Sequence, residues 1–168
     1  WKNWLFVKVD TDAGHGWGEA FTEAGREQAI AAEVEAFGER LIGRDPRQIR
    51  RLIAELQVDA AGRRRSLEFC SALSGIEIAL WDIAGKAAGL PIHALLGGSQ
   101  RDRVTVYANC HDGLVTTPEA WADLCRRAVA AGFGGVKIYP LTAPIRRLAD
   151  EDAAVAIVAG VREAVGPE

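Results

Sequence analysis

Cysteine is scarce in this 168-residue chain, with only Cys70, Cys110 and Cys125. Three thiols cannot pair completely, and their wide, irregular spacing fits neither a disulfide framework nor a zinc site. Reduced thiols of a cytoplasmic protein are the simplest reading, with Cys70 and Cys125 as small core residues. Long apolar runs are missing too, so no segment reads as a membrane span, and the amino terminus does not resemble a signal peptide. An excess of one charge is also lacking. The formal net charge is −3 with both signs interspersed, which gives no electrostatic reason to expect nucleic acid or an anionic membrane as partner. Arg63, Arg64 and Arg65 form the compact basic run, but no aromatics interleave it and it reads as a solvated loop. The chain opens on Trp1-Lys2-Asn3 without methionine, from which upstream sequence is expected.

What is present falls into two grammars. Residues 4–9 alternate as a strand, turn at Asp12-Ala13-Gly14 and return through Gly16 to Phe21 as a β-hairpin. Residues 27–42 carry Ile30, Val34, Phe37 and Leu41 at helical spacing, and Gly43 stops them. A second helix is expected with Asp45 as N-cap, Pro46 in its first turn, and Ile49, Leu52, Ile53 and Leu56 as its apolar stripe. The stretch from Ser71 to Gly89 is a helix apolar on almost every side. Ile76, Leu80, Ile83, Ala84 and Ala87 share one face, while Ile78, Ala79 and Trp81 occupy others, so it needs cover on more than one side and reads as wedged between two structural units. Asp82 and Lys86 stand at ion-pair spacing. After residues 97–100 the pattern becomes strand (104–109), helix (capped by Thr117 and Pro118), strand (135–139) and helix (roughly 151–165), a parallel crossover unit.

The run Ser74-Gly75-Ile76-Glu77-x-Ala79-Leu80-Trp81-Asp82-x-x-Gly85-Lys86, followed by Gly89-Leu90-Pro91 and Leu95-Leu96-Gly97-Gly98, resembles the enolase superfamily, in its mandelate racemase and muconate lactonizing enzyme branch. The resemblance spans nearly the whole chain. It implies an α+β capping domain over residues 1–98, with the apolar helix at its junction, and the first β/α units of a (β/α)8-type barrel over residues 99–168. A complete barrel takes about 250 residues, so capping domain and whole barrel cannot both fit, and the barrel is expected to be incomplete here, its next strand lying beyond Glu168.

In a parallel barrel the chemistry gathers where strands run into loops. Lys137 and Tyr139 sit at that rim, two apart and so on one face of their strand. From spacing alone, that face could be the interior or the helix side. The resemblance implies that Lys137 matches the first lysine of a Lys-x-Lys motif, binding the substrate carboxylate and stabilising an enolate. Tyr139 stands where the second lysine would be; a phenol of pKa about 10 is a poor base but a serviceable hydrogen-bond donor. That departure points away from a two-base racemase and toward acid-sugar dehydratases. Phe21, Thr22 and Glu23 match a capping-domain loop that contacts substrate in this branch, or form an ordinary polar connection. His111, after the first barrel strand, could reach the barrel mouth. Cys110-His111 as a catalytic pair is disfavoured, since neighbours on a strand point to opposite faces.

The resemblance implies a Mg2+-dependent lyase that abstracts the proton α to the carboxylate of a small sugar acid, with magnesium ligands expected beyond Glu168, and a homo-oligomer. The alternatives are a racemase, epimerase or cycloisomerase on the same scaffold, or a non-catalytic fragment acting by association. The chain alone is expected to lack turnover. Gly14-His15-Gly16-Trp17-Gly18 superficially resembles a phosphate loop but precedes a strand, and His93 reads as structural or surface.

Overall fold

A computed structural model describes residues 3–58, 66–110, 115–141 and 148–167. They form two compact units, Trp1–Gln100 and Arg101–Glu168.

In the first unit, β1 (Leu5–Thr11) and β2 (Gly14–Ala20) make an antiparallel hairpin in the register Val7↔Gly18 and Val9↔Gly16. It is followed by α1 (Glu27–Leu41), α2 (Ile49–Val58), α3 (Leu67–Ala88) and the short α4 (Ile92–Leu95). Alternation turns Val7 and Ala20 into the core and leaves Phe6 and Trp17 on the open face. The inner face of β2 is almost bare of side chains because α3 lies directly on it. A Cβ at Gly18 would meet the Gly75 carbonyl oxygen at 1.9 Å, and one at Gly16 would meet the Ala79 carbonyl oxygen at 2.1 Å. Gly75 reciprocates, since its own Cβ would lie 2.8 Å from Val7. Glycine is thus required by close backbone approach on both partners.

α3 starts where the Ser66 hydroxyl accepts from the Phe69 N–H at 3.2 Å, and ends at Gly89, whose φ of 65° is left-handed. It packs on the hairpin and on α1 and α2, burying Ala72, Ile76, Ala79 and Leu80. Phe37 of α1 meets Phe69 of α3 edge to face with centroids 5.3 Å apart. The Asp82–Lys86 ion pair forms at 2.6 Å, and the same carboxylate accepts the Trp17 N–H at 2.8 Å while Lys86 donates to the His15 carbonyl at 3.0 Å. These two side chains therefore tie the hairpin to α3.

The second unit has β3 (Ala108–Cys110), α5 (Pro118–Ala130), β4 (Val136–Ile138) and α6 (Leu148–Val165). β3 and β4 are parallel, in the register Asn109↔Lys137. Trp121 and Cys125 of α5 and Ile157 and Val161 of α6 form the core, against which Ala108, Val136 and Ile138 pack. The first unit is thus an α+β arrangement of a hairpin and helices, and the second a parallel β-α-β-α unit; the described residues contain no closed barrel.

Four expectations are corrected. Asp45 is not the N-cap of α2: its Oδ1 accepts the Arg47 N–H at 3.0 Å and the Arg47 guanidinium at 2.9 Å. The short acidic side chain closes a local turn instead, and the helix begins at Ile49. The barrel strands are shorter than 104–109 and 135–139, because Val104 and Val106 are exposed and the first cross-strand bond is Ala108 N–H to the Gly135 carbonyl at 2.9 Å. α6 begins three residues earlier than expected, at Leu148. Cys70 is exposed, not a core residue. Residues 63–65 lie outside the described residues. No helix among the described residues is long and apolar enough to cross a membrane.

Candidate active-site wall on the barrel strands

The side on which Lys137 stands is decided by its neighbours. Val136 and Ile138 pack toward the helices, as does Ala108 on the paired strand, and Cys110 is buried among them. Alternation then places Lys137 and Asn109 together on the opposite face, away from α5 and α6. Both are exposed. In parallel register they sit side by side, about 5 Å apart at the backbone. Tyr107 continues the same face below Asn109, its Cβ 3.5 Å from where a Gly135 Cβ would stand. Tyr139, two residues past Lys137, is 60% exposed just beyond the strand end. In a barrel the helix-free face is the interior, and its carboxyl end is the mouth. An ammonium, a carboxamide and a phenol thus line one rim.

Lys137 is exposed on this face. Asn109 was not a candidate from sequence. Its signal was available, since it follows Tyr107 by two in an alternating strand, but its position beside Lys137 needs the register of the crossover. The Cys110 side chain is on the helix side and buried, so it does not contribute to this rim. His111 lies outside the described residues.

Phe21 and Glu23 of the first unit are exposed, on the connection that leads from β2 to α1. Thr22 departs from the expected loop contact. It is 3% exposed, and its hydroxyl donates to the Asn3 carbonyl. Asn3 also donates its N–H to Glu27 at 3.2 Å. Thr22 therefore holds the segment before β1 in place.

Elsewhere the electrostatics are structural. Lys86 hydrogen-bonding, with the Trp17 N–H, holds the Asp82 carboxyl below its usual value. The Arg47 side chain and N–H bring Asp45 down to about 2. Burial, with the Cys110 thiol beside it, pushes the Cys125 thiol up. Among the described residues no cluster of three or more His, Cys, Asp or Glu could hold a metal ion. They do not supply a magnesium site.

The description "Mandelate racemase / muconate lactonizing enzyme, N-terminal domain" matches residues 2–97. The chain belongs to this family. It is 39% identical over 168 residues to a D-galactonate dehydratase from Variovorax paradoxus (strain S110), which covers 96% of this chain and 42% of that protein. It is 34% identical over 167 residues to a D-gluconate dehydratase from Thermoproteus tenax, covering 98% of this chain and 33% of that protein. The crystal structure of a mandelate racemase/muconate lactonizing enzyme-like protein from Rubrobacter xylanophilus DSM 9941 superimposes with a TM-score of 0.85 at 35% identity, over 96% of this chain and 47% of that one. The chain thus spans less than half the length of the relatives it matches.

Proposed function

We propose that the protein carrying this chain is an acid-sugar dehydratase, a lyase that removes the proton α to a carboxylate and then expels the β-hydroxyl as water. The observation that carries the reading is the Asn109 and Lys137 pair on the helix-free face of parallel strands. The names of its dehydratase relatives support the sugar-acid substrate class. The Lys137 ammonium binds the substrate carboxylate and offsets the negative charge that grows on its oxygens as the α proton leaves, where a fixed cation acts without reorganising. The Asn109 carboxamide donates an N–H to the same carboxylate or to a neighbouring hydroxyl. The Tyr139 phenol is a hydrogen-bond donor; as a base it is poorly matched to neutral pH. That leaves the proton-abstracting base to a residue other than Lys137 and Tyr139, which favours dehydration over two-base racemisation. Phe21 and Glu23 are proposed substrate contacts of the capping domain. Magnesium is the metal that the family implies.

The test is to incubate the protein as its gene encodes it with D-galactonate and D-gluconate in the presence of magnesium, and to follow loss of water to the 2-keto-3-deoxy acid. Dehydration supports the reading. A change of configuration at the α carbon without loss of water would replace it with a racemase or epimerase. Lys137→Ala is expected to lower kcat/KM by about 100-fold or more, as removal of a single charge-stabilising donor does.

A further inference from the structure

The hairpin of the first unit is built inside out. Its inner face carries Gly16, Gly18 and Ala20 on β2, while Phe6 and Trp17, the largest apolar side chains of the two strands, point away from the core and are 59% and 47% exposed. Trp4 and Phe21 are exposed as well, at the end of the hairpin next to the Leu5↔Ala20 pair. An aromatic side chain offers about 150–250 Å² for burial, so these four, each about half exposed, present roughly 400 Å² of apolar surface. A patch of that size on one face marks an interaction site. The Trp17 ring is already ordered by an edge contact with His15, their centroids 6.2 Å apart, so docking it costs little further side-chain entropy.

Charge on the same face selects the partner. Lys8 stands directly across from Trp17, with Asp10, His15 and Glu19 around them, and all are exposed. Lys8 pairs with Asp10 at 2.8 Å. One cation against two carboxylates disfavours an anionic bilayer or a phosphate backbone, whereas a face carrying both signs can meet its own copy. We propose that the outer face of the β1–β2 hairpin is a two-fold interface with a second copy of the protein. A two-fold contact sets the same patch on both subunits. Because Lys8 and Trp17 are register partners, an axis running along the strands lays each ammonium over the other copy's indole, a cation–π contact. The aromatics supply about half of the ~800 Å² per partner that a stable dimer buries. Lys8, Asp10, His15 and Glu19 furnish the polar rim around them.

The test is sedimentation equilibrium of the protein as its gene encodes it, over a dilution series, beside the double variant Phe6→Thr/Trp17→Thr. Threonine keeps the strand preference of both positions, and the Trp17 N–H bond to Asp82 is made by the backbone. The unaltered protein should associate, and the double variant should raise the dissociation constant by about 30-fold or more, as loss of an aromatic anchor does. Val155→Thr/Val158→Thr, which alters exposed apolar residues of α6, should leave that constant unchanged. A single-protomer mass at every concentration would overturn the proposal. So would an assembly that the hairpin variant does not weaken. Should the double variant fail to fold, Lys8→Glu decides by the same readout, since it sets carboxylates alone on both copies of the face and should also dissociate them. Oxidative footprinting of Trp17 gives a second reading: protection that fades on dilution supports the interface, and protection independent of concentration shows that the protein's own chain covers the face and overturns it.

Discussion

Gly16 and Gly18 set the distance between hairpin and helix, and they make the sharpest stability prediction. A methyl at Gly18 would stand 1.9 Å from a backbone oxygen, which no side-chain rotation relieves. Gly18→Ala is therefore expected to cost about 3 kcal/mol or more through overpacking, read as a lower urea midpoint, whereas Gly38→Ala, with open space around it, should cost almost nothing by this route. Asp82 makes a pH prediction. Its folded pKa is depressed by Lys86 and the Trp17 N–H, so its contribution is present above the unfolded value of 3.8 and is lost as pH falls through the lower folded value. Unfolding midpoints measured between about pH 7 and pH 3 should fall with acid in the wild type, and less steeply in Asp82→Asn. The pairing of Asp82 with Lys86 was readable from their spacing of four. That Asp82 also receives a strand N–H was not, because that bond joins residues 65 positions apart.

Among the elements, helices with one apolar stripe were the most legible. The stripe of α5, its Thr117 cap accepting the Ala120 N–H at 3.3 Å, and Pro118 in its first turn are all local signals. Thr117→Ala should cost about 1 kcal/mol, seen as earlier unfolding of the second unit by circular dichroism. The start of α2 was misread for an equally local reason: an aspartate that can cap a helix can also close a turn on the second residue after it, and the Arg47 side chain favours the turn. Strands were overlong because alternation reports a face and not a partner. Val104 and Val106 keep the pattern with no cross-strand bonds to fix it.

At the scale of the whole molecule, the two cores differ in size. Among the described residues, the first gathers thirteen buried residues around α3, and the second gathers five around Trp121 and Cys125. Local stability follows buried apolar contact. Backbone amides of β3 and β4 should therefore exchange hydrogen faster than those of α3, in a separate opening event. Exchange of both sets with one common free energy would show a single cooperative unit instead. Val155 and Val158 of α6 are exposed; light scattering on the eluting protein reads whether it self-associates.

The sequence by itself determined the family, the capping domain and the crossover unit, because the Ser74–Lys86 motif, the helical stripes and the glycine stops are written in near neighbours. It also placed Lys137 on a strand rim. Only the tertiary structure decided which way that lysine faces, because a side is defined by what packs on the other one. It brought Asn109 beside Lys137 and Cys110 into one core with Cys125, and it turned Thr22 inward. Each of these depends on contacts between segments far apart in the chain, whose register no local pattern encodes.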